Sequence, residues 1–231
     1  MSEVQTRPHP SPVRSLSEAT EPVIEPRQLF RKRLLDLLLL SILALPALAL
    51  VLFFSMLTRL LHGGPTLYRQ VRVGCGGRMI QVWKMRTMER DAEAILARHL
   101  ECDAAAREEW NLNFKLKNDP RILPYVGSFL RRTSLDELPQ LLNILCGEMS
   151  FVGPRPLPEY HFQSLEENFR HLRQSVPPGL TGLWQVNERS DGDLASHQRW
   201  DLDYIKNFSI WNDVMILLKT PQVVLTGRGA R

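Results

Sequence analysis

The chain has 231 residues, 44% of them hydrophobic, and a formal net charge of +4. That length suits one domain with appendages, and the mild positive charge suits anionic partners without choosing among lipid headgroups, nucleotides and nucleic acid. Three cysteines, Cys75, Cys102 and Cys146, with no CxxC pair or Cys/His cluster, argue against a disulfide framework or a zinc site, leaving reduced thiols.

Residues 1–28 hold Pro8, Pro10, Pro12, Pro22 and Pro26 among polar residues and read as a disordered tail. The apolar run that follows starts too late, and lacks the cleavage site, for a signal peptide. From Leu37 to Leu57 no residue is charged, which matches the ~20 residues that span a bilayer. A plain transmembrane helix is one reading. Pro46 near the middle removes a backbone hydrogen bond and favours a bend. Basic residues also flank both ends: Arg27, Arg31, Lys32 and Arg33 before, Arg59, Arg69 and Arg72 after. A helix over 29–62 that enters and leaves by one face keeps both basic flanks on the cytosolic side.

After His62-Gly63-Gly64-Pro65, the β-branched and aromatic segments 66–73 and 78–84, joined by Gly74-Cys75-Gly76-Gly77, predict a β-hairpin. Helical periodicity runs from Met88 to Leu116 until Asn118-Asp119-Pro120. A short helix is expected over 138–146, with Leu138, Leu141, Leu142 and Leu145 as its apolar stripe and Gly147 as its stop. Gly153-Pro154-Arg155-Pro156 is irregular, and 160–175 and 197–207 are helical. The segment 209–225 is amphipathic and interrupted by Pro221; it either packs in the core or lies on a membrane with its Trp at the interface.

The chemistry centres on Arg131-Arg132-Thr133-Ser134-Leu135-Asp136-Glu137-Leu138-Pro139-Gln140. Ser134 and Glu137 fit a capping box, but Pro139 would then be the fifth helical residue, where it is costly. With Asp136 as cap, Pro139 falls in the first turn. The helix dipole then favours the ionised carboxylate, which serves a cap, a nucleophile or a metal ligand alike. Pro154 and Pro156 fix the backbone around Arg155, whose planar donors suit phosphate or sit idle in a rigid turn. Lys84, Arg86, Arg131, Arg132 and Arg189 complete an anion pocket if they converge, with Mg²⁺ bridging carboxylate and phosphates. Asp191-Gly192-Asp193 and Asp201-Leu202-Asp203 match the short DxD pattern of nucleotide-sugar glycosyltransferases, and no Walker A, HExxH or GxSxG motif is present.

Taken in order, several segments resemble the bacterial sugar transferases, the monotopic phosphoglycosyl transferases: Lys32-Arg33-Leu34-Leu35-Asp36, Tyr68-Arg69-Gln70, Lys84-Met85-Arg86-Thr87-Met88, Lys117-Asn118-Asp119-Pro120-Arg121-Ile122, Arg131 through Gln140, 147–156, 178–186, Leu218-Lys219-Thr220 and Gly227-Arg228-Gly229. The resemblance covers 29–231. It implies a mainly α, α+β fold: a re-entrant membrane helix broken at Pro46, a β-hairpin, and interfacial helices around a small cytosolic catalytic domain at the bacterial inner membrane, residues 63–231. It implies transfer of a hexose 1-phosphate, galactose or glucose, from a UDP-sugar to polyprenyl phosphate. Asp136 would attack, Glu137 would handle protons, Mg²⁺ would sit at Asp136, and Arg131, Arg155 and Arg189 would meet phosphates. Membrane lipids are partners, nucleic acid is not, and a homo-oligomer is compatible. Leu45 stands where serine commonly precedes the proline, and Glu188 where glycine is usual before Arg189. The rival readings are a DxD glycosyltransferase using Asp191 and Asp193, and a membrane-anchored scaffold.

Overall fold

The computed structural model describes residues 24–113, 116–188 and 194–226. Helix α1 runs Pro26–His62, so it begins inside the stretch expected to be tail. Pro26 occupies the first helical position, where its missing N–H costs nothing, and the Gln28 side chain accepts from the Glu25 backbone N–H at 3.1 Å. Helical backbone runs on through Pro46, so the break expected there does not divide the segment. It alone among the described residues is long and apolar enough to cross a membrane.

One stripe of α1 is covered. Lys32, Asp36, Leu40, Ala47 and Thr58 are buried, at the three- and four-residue steps of one helical face. Leu40 and Ala47 join a core with Ile144, Phe151, Tyr204, Ile205 and Ile216. Further along, Val51, Phe54 and Leu57 pack on Met85, Val126 and Leu130. The rest of the helix is exposed leucine and phenylalanine, including Leu38, Leu45 and Leu52.

The start of α1 is fixed by charge. Lys32 lies 2.7 Å from Asp213, and the Tyr204 hydroxyl donates to the other Asp213 oxygen at 2.8 Å. One turn on, Asp36 accepts from the Ser150 hydroxyl at 2.8 Å and from the Phe151 N–H at 3.0 Å. Each buried ion therefore has partners, without which it would cost several kcal/mol.

Strands β1 (Leu67–Val73) and β2 (Met79–Met85) form the expected antiparallel hairpin, with Tyr68 opposite Lys84. The long helical segment is two helices, α2 (Ala92–Cys102) and α3 (Ala104–Asn113). Asp103 lies between them in extended backbone and receives the Ala106 N–H on its side chain, a local cap that restarts the helix. Helix α4 (Val126–Thr133) ends on Ser134 in the left-handed region, at φ 57°. A 3-10 turn, Leu135–Gln140, and α5 (Leu141–Leu145) follow. The expected apolar stripe of this element is rotated: Leu142 and Leu145 are exposed, while Leu141, Asn143 and Ile144 face inward. Asn143 explains the rotation, because it completes the open edge of β2. It accepts from the Trp83 N–H at 3.1 Å and donates to the Gln81 carbonyl at 2.8 Å.

A second sheet went unforeseen: β3 (Ser150–Val152) pairs in parallel with β4 (Gly179–Thr181). The backbones meet so closely that a Cβ on Gly179 would lie 2.1 Å from the Gly153 nitrogen. The expected helix over 160–175 is split into α6 (Glu159–Gln163) and α7 (Glu167–Gln174). Then come α8 (Leu183–Asn187), α9 (Leu194–Lys206) and α10 (Ile210–Thr226). Helix α10 packs one face into the domain, as the core reading expected, and leaves the other uncovered. Asp213 and Ile216 are buried, while Trp211, Met215 and Leu218 form an exposed apolar stripe. The three cysteines are free and exposed.

Candidate active site

A cleft of about 810 Å³ opens between the middle of α1, the hairpin, the 3-10 turn and α10. Its two halves differ in chemistry. Leu43, Pro46, Ala47 and Leu50 of α1, with Leu217, Val223 and Val224 of α10, make an apolar wall. Tyr68, Gln70, Lys84, Arg131, Asp136, Glu137 and Arg155 make a polar floor.

The 3-10 turn delivers the two carboxylates. The left-handed Ser134 reverses the chain after α4, so the dyad follows a tight corner. Asp136 is therefore not the helix cap expected from Pro139; it lies in the first turn of the 3-10 segment, and Ser134 is the boundary residue. Nor does a capping box form, because Ser134 makes no side-chain cap bond and Glu137 is engaged elsewhere. The tighter coil is what tolerates Pro139.

Glu137 takes two cations on one oxygen, Lys84 Nζ at 2.8 Å and Arg155 Nη2 at 2.7 Å. Burial alone would raise its carboxyl, but Arg155 and then Lys84 outweigh burial and hold it far below the ordinary range. Asp136 is treated oppositely. Burial and then the Glu137 charge raise its carboxyl to about 6, against smaller lowering by Lys84, Arg131 and Arg155. Among the described residues no donor lies within hydrogen-bond distance of the Asp136 carboxylate, which lines the cleft. Adjacent residues thus differ: Glu137 is committed, and Asp136 is ionised near neutrality and unspent.

Arg155 stays in place through Arg173, which the sequence did not single out. The Arg173 guanidinium donates to Asp201 at 2.8 Å and also to the Arg155 backbone carbonyl. The second DxD match is thereby explained as structure: Asp201 is buried against Arg173.

Of the sequence-derived candidates, Asp136, Glu137, Lys84, Arg131, Arg155 and Pro46 meet at this cleft. Arg86 does not. It turns away, and its guanidinium donates to the Gly63 carbonyl at 2.6 Å. Lys84 and Arg86 are two residues apart, but β2 ends at Met85, and Arg86, its backbone N–H donating to the Thr66 carbonyl at 2.8 Å, is buried outside the cleft lining. Arg132 is exposed outside the lining, and Arg189, Asp191 and Asp193 lie outside the described residues. Tyr68, Gln70 and Gln185 line the cleft unforeseen. The pairing of Tyr68 with Lys84 across the hairpin was the available signal for the first. Burial and then Asp136 raise the Tyr68 hydroxyl to about 12, so it is a donor at neutral pH.

A donor set for Mg²⁺ is limited. Among the described residues no group of three ligating side chains exists. Asp136 offers one carboxylate, which suits an ion that takes one or two carboxylates and completes its shell with water and substrate phosphates.

A family profile described as bacterial sugar transferase matches residues 27–227. The undecaprenyl-phosphate galactose phosphotransferase of Salmonella typhimurium is 42% identical over 202 residues, covering 87% of this chain and 42% of that protein. The exopolysaccharide production protein ExoY of Sinorhizobium fredii is 42% identical over 200 residues, covering 86% of this chain and 87% of that protein. The UDP-glucose:undecaprenyl-phosphate glucose-1-phosphate transferase of Escherichia coli is 36% identical over 197 residues, covering 82% of this chain and 39% of that protein. The chain thus spans about two-fifths of the length of several curated relatives and most of the length of ExoY.

Proposed function

The chain belongs to the bacterial sugar transferase family, and from that premise we propose that it transfers a hexose 1-phosphate from UDP-galactose or UDP-glucose to undecaprenyl phosphate, releasing UMP. This would be the first membrane step of exopolysaccharide synthesis. The names of the Salmonella and Escherichia relatives support the acceptor and the sugars. The observation that carries the chemistry is the unlike pair of carboxylates. Glu137 is bound to Lys84 and Arg155, which leaves Asp136 as the buried carboxylate facing the cleft.

In the first step an Asp136 oxygen bonds to the β-phosphorus, and the bond from that phosphorus to the bridging oxygen breaks. UMP leaves with the electron pair. In the second step an oxygen of undecaprenyl phosphate bonds to the same phosphorus. The bond to Asp136 then breaks and the carboxylate returns. Splitting the displacement keeps the two bulky anions out of the cleft at the same moment. Arg131, Arg155 and Lys84 offset the phosphate charge. Glu137 holds two of these cations; its ion pairs favour that role over carrying a proton. Magnesium, held by Asp136 and the diphosphate, would offset further charge. The apolar wall suits the lipid and the polar floor suits the nucleotide.

Re-entry of α1 is part of this reading. Lys32 and Asp36 near its start, and Phe54 and Thr58 near its end, all meet the same domain. That favours both ends on one face of the bilayer, with the apolar stripe of α10 at the interface. Single cysteines near Arg27 and His62, in a background lacking the three native cysteines, should label only from the cytosolic side. Labelling from opposite sides would mean a true span.

The function is tested by nucleotide release from UDP-galactose and UDP-glucose with Mg²⁺ and undecaprenyl phosphate. UMP is the expected product, and UDP would point to a conventional glycosyltransferase. The residues on which that reading rests, Asp191 and Asp193, lie outside the described residues.

A further inference from the structure

Outside the cleft, three arginines gather at the end of α1. The Gly63 carbonyl accepts from Arg86 at 2.6 Å and the Gly64 carbonyl from Arg59 at 2.9 Å. The Arg90 guanidinium lies over Gly64 so closely that a Cβ there would sit 1.7 Å from its Nη2. Gly64 has φ 72°, a conformation that favours glycine. Three guanidiniums thus surround one two-residue turn. None of the ion pairs among the described residues includes Arg59, Arg86 or Arg90.

Arg86 is buried, and two of its nitrogens, Nε and Nη1, have no partner among the described residues. Burial and then the Arg90 charge lower the Arg86 guanidinium pKa, and Glu89 alone opposes them. The helix C-terminal carbonyls supply only partial negative charge. A buried cation so placed is costly without an anion. Phosphate, with several acceptor oxygens, is the anion that arginine forks match best. Position says what carries it. Leu60 and Leu61 are exposed on the last turn of the apolar helix, which puts the turn where acyl chains meet headgroups.

We infer that the Gly63-Gly64 turn, with Arg59, Arg86 and Arg90, binds the phosphate of an anionic phospholipid, at a site separate from the Asp136 cleft. Arg59 and Arg90 are exposed and make the direct contacts; Arg86 holds the turn and adds charge from beneath. The inference rests on the membrane placement of α1. It gives the C-terminal end of that helix a fixed depth, at the headgroup level.

The test uses the full chain in a non-ionic detergent, with thermal unfolding read against added phosphatidylglycerol, diacylglycerol of the same acyl chains, and inorganic phosphate. Phosphatidylglycerol should raise Tm by about 3 °C or more, and the rise should shrink with salt. Diacylglycerol should not raise it, and R59Q/R90Q should lose the rise. An equal rise in R59Q/R90Q, or with diacylglycerol, overturns the site. An equal rise with inorganic phosphate overturns the lipid as its source. If the double variant does not fold, Arg90→Gln alone, an exposed change, should lose about half of the rise; no loss counts against the site. Flotation of the wild type with neutral phosphatidylcholine vesicles tests membrane placement separately. A protein that floats but shows no response to phosphatidylglycerol loses the headgroup site and keeps the membrane reading.

Discussion

Lys32 and Lys84 each reach a buried carboxylate, at 2.7 Å from Asp213 and 2.8 Å from Glu137, yet the surroundings of the two pairs differ. Around Lys32 every charge is spent. Asp213 takes Lys32 on one oxygen and Tyr204 on the other, and Asp36 nearby takes Ser150 and Phe151. Around Lys84 one carboxylate is left over. Glu137 takes both cations and Asp136, its chain neighbour, takes neither. The first arrangement fastens α1 to the domain. The second keeps an ionisable group at a cleft, where raised pKa values point to chemistry. Burial of charge is common to both, and completeness of pairing separates anchor from site.

Breaking the second arrangement should have the largest effect. Asp136→Asn should lower kcat by about 10⁴-fold or more, measured as UMP release. Its stability should not fall. The folded carboxyl is raised from 3.8 to about 6, so the folded state binds the proton more tightly. The destabilisation is absent below about pH 4, grows as pH rises, and is complete above about pH 6. At pH 7.5 the Asn variant should therefore unfold at the same temperature as the wild type or higher. A large drop in Tm would make Asp136 a structural residue.

The anchor should respond in reverse. Lys32→Ala leaves Asp213 buried without its cation, at a cost of about 3–5 kcal/mol, or roughly 10 °C in Tm. Activity per folded molecule should be nearly kept. Loss of activity with Tm unchanged would dissolve the distinction between the two clusters.

Arg155→Gln sits between these. It should lower kcat/KM by about 10²–10³-fold and shift the pH profile. Asp136 must be ionised to attack, so activity should fall below about pH 6. Arg155 lowers the Asp136 pKa, and its removal should move that acid limb to higher pH. A limb that does not move would mean another group sets it. The smallest effect expected is from Arg173→Lys, about tenfold in kcat/KM. Lysine can keep the charge beside Asp201 but not also the bond to the Arg155 carbonyl, so activity should fall more than Tm.

Much of this was legible in the sequence where the signal is local. The β-branched and aromatic residues of the hairpin and its glycine-rich connection gave β1 and β2 almost to the residue. Asp136, Glu137, Arg155, Arg131 and Lys84 were singled out and do converge. What was hidden depends on long-range contact. Lys32 and Asp213 are on helices at opposite ends of the chain, and nothing in either segment announces the other. Asn143 broke the leucine pattern of α5 because a strand edge needed an amide. Gly153 was placed only in an irregular segment and Gly179 was given no structural role, whereas their lack of a Cβ lets β3 and β4 approach. Arg86 looked like one more phosphate ligand, since spacing along β2 cannot show that its guanidinium reaches the Gly63 carbonyl at the end of α1. Pro139 suggested Asp136 as an α-helix cap, whereas a 3-10 turn that starts after Ser134 takes the proline inside it.

The most direct test of the unspent carboxylate omits the acceptor. Enzyme mixed with UDP-galactose or UDP-glucose and Mg²⁺, without undecaprenyl phosphate, should release UMP in a burst of one per active site, with the hexose phosphate found on the protein by intact mass. Asp136→Asn should give neither burst nor adduct. If UMP forms only once undecaprenyl phosphate is added, and no adduct can be trapped, transfer is direct and Asp136 is not the nucleophile.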